Sequence, residues 1–365
     1  MTLSFTAKTE DFANTIAAAA NALPARAQQD IYHRMLLSAD EDLRILASDG
    51  EMRLEARGEC STEDKGSCTI PGKLLSDISK YFSADEVHVR HEGSELLITS
   101  GRSKFSIAAG DGDEYPVWEM PAPPFLRVSG EELAAAFRAA VPAAGEHPPC
   151  LTAICLEAAL RLPSGNGVLN LVTTDRNRMA VVTLECESQD EITSRALLPA
   201  GAATRLARVL PPAGGEASIG WNEGILSVTY GKGEMMTRLI AEPYPGWRRI
   251  LDKEPGHPGI TCDTKEMTRA VRMAQLAAGQ DNKISWAFGK DEIAVRADRE
   301  GRECTEYVPC SYEGEPVTFL LDARYILDGL AGMGETAELR FTQPENPLFL
   351  RSGNFRYSVQ PRREL

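Results

Sequence analysis

Residues Leu169-Asn-Leu-Val-Thr-Thr-Asp175 carry a pattern that the chain repeats twice more. The other copies are Leu43-Arg-Ile-Leu-Ala-Ser-Asp49 and Glu292-Ile-Ala-Val-Arg-Ala-Asp298, so the closing aspartates lie 126 and 123 residues apart. Each copy alternates apolar and polar residues, which predicts a half-buried strand, and the final Asp predicts a turn. Self-similarity at a nearly constant period indicates a chain made of repeated structural units.

Further elements recur at matching offsets around this strand. Each unit opens with a predicted helix (Thr9 to Leu23, Ser129 to Val141, Asp263 to Ala278), for which Thr, Ser or Asp would be the N-cap. A second amphipathic helix follows at residues 71–82, 199–210 and 322–333. Two alternating strands close each unit, at Glu86–Arg90 and Glu95–Ser100, Glu216–Trp221 and Ile225–Tyr230, and Ala337–Thr342 and Leu348–Ser352.

Two proline-rich joints separate the units. Glu114–Trp118 and Glu242–Trp247 occupy equivalent places and are followed by Pro121–Pro124 and Pro255–Pro258. Because proline fixes φ and lacks an N–H donor, these segments are predicted to be extended connectors. The sequence therefore predicts an α+β fold of three tandem domains, at residues 1–121, 122–253 and 254–365.

Composition is typical of a globular protein. The 365 residues are 43% hydrophobic and 25% charged, with a formal net charge of −14. An acidic chain does not coat nucleic acid nonspecifically, although a local basic surface remains compatible with it. The N-terminus has no basic region followed by an apolar one, and no apolar run reaches membrane-spanning length, so we expect a cytoplasmic protein without membrane contact.

Signatures of catalysis, metal binding and cofactor binding are lacking. The sequence contains no phosphate-binding loop, nucleophile elbow or zinc-protease helix motif. Asp49, Asp175 and Asp298 fall in different domains, so we expect turn-forming roles and not a shared carboxylate site. No two of the eight cysteines have C-x-x-C spacing, which favours small, partly buried side chains over a metal centre. We expect no enzyme, no metal and no cofactor.

Several motifs resemble those of the bacterial sliding clamp family, the beta subunit of DNA polymerase III. The most specific is Thr174-Asp-Arg-Asn-Arg-Met-Ala-Val181, which is similar to the signature of the family's second domain. Ser100-Gly-Arg-Ser-Lys-Phe-Ser106, Tyr244-Pro-Gly-Trp-Arg-Arg-Ile-Leu251 and Tyr357-Ser-Val-Gln-Pro361 occur in matching order and spacing. The resemblance covers essentially the whole chain.

This resemblance implies a DNA clamp fold of three clamp-type domains in a head-to-tail homodimeric ring, with helices inside and sheets outside. Such a ring would encircle double-stranded DNA topologically, without reading its sequence, and tether the replicative polymerase for processive synthesis. The implied protein partners are the DNA polymerase III alpha subunit, the clamp loader and other proteins with clamp-binding peptides. A specialised clamp paralogue, or a clamp-fold scaffold with an altered peptide pocket, is the alternative.

Charge agrees in sign with a DNA-lined hole. Of the net charge of −14, the six predicted inner helices (residues 6–24, 71–82, 129–145, 199–210, 263–279 and 322–333) contribute +1, which leaves −15 for the remainder. A nearly neutral lining inside an acidic shell suits weak phosphate contacts. The candidate DNA-binding residues are Arg26, Lys73, Lys80, Arg138, Arg205, Arg208, Arg269 and Arg272. Each of them could also be an ordinary solvated charge.

The resemblance also implies a partner-peptide pocket between the second and third domains. Its walls would be Leu151, Thr174, Arg176, Asn177, Arg178, Met179, Pro245, Arg249, Ile250, Pro347, Ser358, Val359, Gln360, Pro361, Arg362 and Arg363. In such a groove a few apolar anchors insert while polar groups fix the orientation of the peptide.

The C-terminal tail departs from the family pattern, which is usually apolar around its proline. Here Ser358, Gln360 and Arg362 take those places. The pocket could therefore favour acidic peptides, or the chain could be a specialised clamp that avoids an agent aimed at the usual pocket. Neutral drift, with Arg362 pointing to solvent, is the third interpretation.

For the dimer interface, the resemblance indicates the edge strand Ser103 to Ala108, with Leu74 and Ile78 behind it. Phe105 and Ile107 alternate onto one face and are the predicted buried pair. Ring closure would remove the aggregation risk of such an edge. Both residues could instead belong to an ordinary core.

Overall fold

The computed structural model describes residues 3–26, 29–116, 118, 121–159, 166–188, 193–210, 215–257 and 259–363. In these ranges the chain forms 26 strands, seven α-helices and six short 3-10 turns. It divides into two compact units, of which unit 1 comprises Met1–Glu131 and Arg205–Leu239, and unit 2 comprises Glu132–Thr204 and Ile240–Leu365.

The elements follow one another in alternating groups of strands and helices. The first group is β1 (Leu3–Lys8), α1 (Thr9–Ala20), β2 (Arg34–Ala39), β3 (Leu43–Ser48), β4 (Met52–Gly58), β5 (Ser61–Asp64), β6 (Gly66–Pro71), α2 (Gly72–Ile78), β7 (Glu86–Glu92), β8 (Glu95–Ser100), β9 (Ser103–Ala108), β10 (Gly110–Asp111) and β11 (Leu126–Ser129). The second is α3 (Gly130–Ala140), β12 (Ala153–Ala159), β13 (Asn166–Thr174), β14 (Arg178–Ser188), β15 (Thr193–Pro199), α4 (Ala200–Val209), β16 (Glu216–Trp221), β17 (Ile225–Tyr230) and β18 (Gly233–Arg238). The third is α5 (Arg248–Leu251), β19 (Ile260–Asp263), α6 (Thr264–Ala278), β20 (Lys283–Gly289), β21 (Glu292–Arg299), β22 (Arg302–Pro309), β23 (Val317–Asp322), α7 (Ala323–Leu330), β24 (Thr336–Arg340), β25 (Leu348–Ser352) and β26 (Phe355–Val359).

Unit 1 contains two antiparallel sheets. The first has the order β5–β1–β7–β8–β9, so β5 and β9 are its edges. The second runs β10–β6–β2–β3–β4–β18–β17–β16–β11. Helix α1 packs on β3 and β4 and buries Phe12 and Ile16, which fall four residues apart on one helix face.

Unit 2 repeats this plan. A long antiparallel sheet runs β15–β12–β13–β14–β26–β25–β24–β19. A four-stranded sheet has the order β22–β21–β20–β23, with β22 and β23 at its edges. Helix α6 packs on β21 and β22. Trp286, Phe288 and Phe319 from this sheet are fully buried and form the aromatic part of the core.

The helix starts confirm one predicted N-cap and correct another. Asp263 caps α6, because its carboxylate accepts the N–H of Glu266 at 2.8 Å. Thr9 does not cap α1. It is the first residue of the helix, and its hydroxyl donates to the Ala84 carbonyl at 2.5 Å.

The three repeated strands are β3, β13 and β21, as the pattern predicts. Two other features differ from the sequence-based expectation. Asp298 lies inside β21 opposite Glu303, so the turn comes later than expected. The segment from Leu3 to Lys8 is a strand that the sequence analysis missed, although Leu3, Phe5 and Ala7 alternate into the core. No helix in the described ranges is long and apolar enough to cross a membrane.

Candidate functional site

The turn between β13 and β14 is shaped by its own side chains. Thr174 Oγ1 donates to the Arg178 carbonyl at 2.6 Å and accepts the N–H of Arg176 at 3.1 Å. Asp175 Oδ1 accepts the N–H groups of Asn177 and Arg178 at 2.9 and 3.0 Å. Arg176 has φ of 80°, a left-handed conformation that costs a non-glycine residue about 1–2 kcal/mol. The Thr-Asp part of the motif therefore holds an arginine in a conformation that it would otherwise avoid.

Arg178 ties this turn to helix α7. Its Nε donates to Asp175 Oδ2 at 2.9 Å, its Nη1 pairs with Asp328, and its guanidinium lies 4.3 Å from the centre of the Tyr325 ring. Burial alone would lower the pKa of Arg178, but Tyr357 and the two carboxylates outweigh burial and raise that pKa above its ordinary value. Arg178 is therefore a permanently charged structural link.

Behind the turn lies a buried apolar cluster that includes two of the predicted pocket walls. Leu151 is 2% exposed and Met179 is 1% exposed, and both pack with Tyr244 and Trp247. Ile250 is half-buried against the same cluster. The predicted pocket walls Leu151 and Met179 are thus covered by the chain's own residues, and Ile250 is only partly exposed.

The segment that carries Pro245, Arg249 and Ile250 is held by an ion-pair group that the sequence analysis missed. The buried carboxylate of Glu157 accepts a hydrogen bond from Arg195 Nη2 at 2.5 Å and also pairs with Arg248. The guanidinium of Arg248 lies 4.2 Å from the centre of the Trp247 ring. Burial raises the pKa of Glu157, but the two arginines lower it further, so its net pKa is below the usual value. Residues so distant in sequence leave no local signal.

The C-terminal tail is fastened at several points. Ser358 and Val359 are buried in β26, which pairs with β14, and Pro361 is buried after it. The Gln360 N–H donates to the Asn177 carbonyl at 2.7 Å, and its side chain donates to the Glu345 carbonyl at 2.9 Å. The predicted wall residue Pro347 is half-buried just before β25.

Arg362 does not point freely to solvent. Its Nη1 donates to Asp281 at 3.0 Å and its Nη2 to Asp322 at 2.9 Å, while its backbone N–H donates to the Leu320 carbonyl at 2.7 Å. Asp322 is itself buried and caps α7 through the N–H of Arg324. The arginine that replaces an apolar residue in the tail is therefore neutralised inside the protein.

A cleft of about 390 Å³ lies beside the same apolar cluster. It is lined by Asn170, Val181, Thr183, Trp247, Arg248, Leu251, Asp252 and Arg356. Val181, Trp247 and Leu251 also belong to the cluster or pack against it. None of the predicted pocket residues lines this cleft.

The candidate DNA-binding residues differ in exposure and in the ion pairs that they form. Arg26, Lys73, Arg138, Arg208 and Arg272 are exposed. Lys80 pairs with Asp77 at 3.2 Å, and Arg269 pairs with Glu306 at 2.7 Å. Arg205 is half-buried, and its Nη1 lies 2.5 Å from Asp49.

The predicted dimer edge is an edge strand, but it offers less surface than expected. Phe105 and Ile107 share a face of β9, yet Ile107 is 3% exposed because its own chain covers it. Phe105 is 38% exposed, Leu74 is exposed and Ile78 is half-buried. Three exposed apolar residues of unit 2 were not among the predicted interface residues, namely Met273 and Leu276 on α6 and Tyr307 on β22.

The residues considered for catalysis have structural surroundings. Asp49 Oδ1 accepts the N–H groups of Glu51 and Met52, as Asp175 does in its own turn. Burial raises the pKa of the Cys68, Cys155 and Cys262 thiols to about 12, which makes them poor nucleophiles. Among the described residues, no three His, Cys, Asp or Glu side chains are grouped to hold a metal ion.

Comparison with protein families gives three consecutive matches along the chain. Residues 3–120 match the N-terminal domain of the DNA polymerase III beta subunit, residues 146–246 its central domain, and residues 248–360 its C-terminal domain. The beta sliding clamp of Streptomyces coelicolor is 26% identical over 349 residues, which are 93% of this chain and 91% of that protein. The beta sliding clamp of Haemophilus influenzae is 26% identical over 304 residues, 81% of each chain.

Solved structures show the same fold over the full length. The DNA polymerase sliding clamp of Bacillus subtilis superposes with a TM-score of 0.90 at 19% identity, covering 100% of both chains. A sliding clamp of Pseudomonas aeruginosa bound to griselimycin superposes with a TM-score of 0.89 at 22% identity, again covering 100% of both chains.

Proposed function

The chain belongs to the bacterial DNA polymerase III beta subunit family, the beta sliding clamps, and from this premise we propose that two copies form a ring around duplex DNA. As a member of this family the protein is a replication clamp and not an enzyme. The single observation that carries the function is the consecutive match of all three family domains along the chain. We place the domains at residues 1–121, 122–253 and 254–365 and the protein in the cytoplasm.

The exposed apolar side chains support a head-to-tail contact. Within the described residues, the six exposed large hydrophobic side chains fall on few elements. In unit 1 they are on β9, α2 or the turn after α2, and in unit 2 on β22 or α6. They are Leu74, Tyr81, Phe105, Met273, Leu276 and Tyr307. Since α6 packs on β22, the three of unit 2 belong to one region, and exposed apolar patches mark protein interaction sites.

Strand edges and charge support the same contact. The edge strand β5 carries Glu63 and Asp64, charges that discourage pairing with another strand. The edge strand β9 instead offers Phe105 with exposed Lys104, and β22 offers Tyr307 with exposed Glu303. Pairing β9 of one copy with β22 of the other is heterologous, and two such contacts close a ring of two.

Inside the ring, the proposed role of the basic helix residues is weak, sequence-independent contact with phosphates. Arg208 and Arg272 are exposed and suit this role. Arg205 contributes less, because Asp49 already neutralises it. A ring needs no tight contact, since encirclement itself retains the DNA.

Partner proteins are proposed to dock where the β13–β14 turn, the Pro245–Ile250 segment and the tail meet. These partners are the DNA polymerase III alpha subunit, the clamp loader and other proteins that carry clamp-binding peptides. The exposed side chains of this partner pocket are Arg176, Asn177, Pro245, Arg249, Gln360 and Arg363. Because Leu151 and Met179 are covered, a peptide anchor reaches them when half-buried Ile250, which packs on their cluster, shifts. Because the tail is polar where the family pattern is usually apolar, a specialised clamp paralogue is the second candidate function.

Retention on circular DNA tests the ring. The protein is loaded onto closed circular DNA by a clamp loader, separated from free protein, and the DNA is then linearised. Topological binding gives a complex that survives on circles and is lost from linear DNA. Equal retention on both forms would show ordinary binding, and a dimer that is never retained would favour the scaffold alternative.

A further inference from the structure

Five arginines belong to the proposed partner pocket, and two of them are neutralised by the chain itself. Arg178 is paired with two aspartates at the β13–β14 turn. Arg362 is paired with Asp281 and Asp322. Neither guanidinium has charge left to offer a ligand.

The other three arginines are Arg176, Arg249 and Arg363, which we call the basic rim. All three are exposed, and within the described part of the chain none of them forms an ion pair. The side chain of Arg176 makes one long hydrogen bond, from Nη2 to the His147 carbonyl at 3.4 Å. These charges are therefore available to a partner.

The basic rim borders the apolar cluster that a peptide anchor would enter. Arg176 precedes Met179 in the β13–β14 turn, and Arg249 precedes Ile250, which packs on the cluster. The tail runs beside the same turn, because the Gln360 N–H bonds to the Asn177 carbonyl, and Arg363 follows three residues later. Three unneutralised cations thus belong to the three segments of one site.

The backbone of Arg176 adds to this argument. Its φ of 80° would be free of strain for glycine, and the hydrogen bonds of the turn maintain it for arginine. The turn itself therefore gives no reason for arginine at this position. A long cation on a rigid turn is well placed to bind a carboxylate.

We propose that the basic rim selects partner peptides that carry Asp or Glu beside their apolar anchor, an inference that rests on the partner pocket proposed above. The chain's net charge of −14 repels acidic peptides in general. Selection must therefore come from local pairing at the basic rim. Arg362, although it changes the tail most visibly, takes no part in it.

The test uses one clamp-binding peptide of the DNA polymerase III alpha subunit in two versions. One version has Asp and Glu beside the anchor, and the other has Asn and Gln at the same positions. Binding of each to the full-length dimer is measured by fluorescence anisotropy at low and high salt. Two exposed carboxylates that pair with the basic rim predict a preference of about fivefold for the acidic version at low salt, and this preference shrinks as salt rises.

Variants separate the basic rim from other surface charges. The triple variant Arg176→Gln, Arg249→Gln, Arg363→Gln is expected to lose the preference for the acidic version. The control variant Arg44→Gln, at an exposed arginine of β3 outside the partner pocket, is expected to keep the preference. If the wild-type protein binds both versions equally, the inference is wrong and the pocket stands. If it binds neither version, the partner pocket itself is wrong, and the inference falls with it.

Discussion

Replacing Phe105 by Ala is expected to weaken the head-to-tail dimer by more than a hundredfold without unfolding the chain. Phe105 is 38% exposed in the single chain. A phenylalanine presents roughly 200 Å² of surface, so about 75 Å² remains for a partner to cover. At about 25 cal/mol per Å², covering that area stabilises one contact by about 2 kcal/mol.

The ring geometry doubles this effect. A dimer of two identical copies contains the β9–β22 contact twice, so Phe105→Ala removes about 4 kcal/mol from the dimer. This corresponds to a rise of roughly 500-fold in the dimer Kd. A mixed dimer of wild-type and variant chains has one altered contact and is expected to lose only about 20–30-fold.

Sedimentation velocity over a dilution series measures both dissociation constants. Ser61→Asp on β5, at the opposite edge of the same sheet, is the matched control and should leave the dimer unchanged. Circular dichroism should show the same fold for all chains, because both side chains are exposed. An unchanged Kd for Phe105→Ala would refute the interface, and equal losses in the mixed and the double-variant dimer would refute the two-contact ring.

Three further sets of substitutions probe the ion pairs, the DNA contacts and the pocket. Glu157→Gln should lower the free energy of unfolding by about 1 kcal/mol, because Arg195 and Arg248 can turn to water. The double variant Arg195→Gln, Arg248→Gln should lower it by about 3 kcal/mol, because it leaves a buried carboxylate without a partner. Thermal denaturation compares the two variants, and equal losses of stability would contradict this expectation. The pKa of Glu157 is lower in the folded state than in the unfolded state. Its ion pairs therefore stabilise the fold above the unfolded-state pKa, and this stabilisation is lost as pH falls through the folded-state pKa. In acid, the wild-type protein should therefore be no more stable than Glu157→Gln. Arg208→Gln should reduce the slope of log K for DNA binding against log salt concentration by about 1. Arg205→Gln should instead lower the stability of the fold, because Asp49 loses its ion-pair partner. The reverse pattern would show that Arg205 is the phosphate contact. Met179→Ala should weaken binding of an alpha-subunit peptide and Arg205→Glu should not, so equal weakening in a peptide titration would count against the pocket.

The repeated strands were predictable because each one satisfies a local rule. Apolar and polar residues alternate along residues 43–49, 169–175 and 292–298, which predicts strands with one buried face. These residues form the strands β3, β13 and β21. The helix α6 was predictable in the same way, since Asp263 and Glu266 form its cap locally. Strand β1 was missed although it alternates, because its partners β5 and β7 are more than fifty residues away.

Family motifs predict which residues form the partner pocket, but they say nothing of how those residues are surrounded. No motif tells that Leu151 and Met179 are covered or that Arg362 is neutralised. The neutralisation of Arg362 depends on Asp281 and Asp322, which reach the tail only through tertiary packing. The covering of Leu151 and Met179 depends in the same way on Tyr244 and Trp247. Glu157 with Arg195 and Arg248 was missed for the same reason, since its three members come from separate segments.

The hydrogen bond from the Arg362 N–H to the Leu320 carbonyl has a consequence for a sheet edge. Leu320 lies on β23, the edge of the four-stranded sheet opposite β22, and the tail occupies a backbone acceptor there. Because unpaired backbone groups on an edge strand can pair with another chain, the tail shields this part of β23 from such pairing. A truncation made to study partner binding would also expose this acceptor.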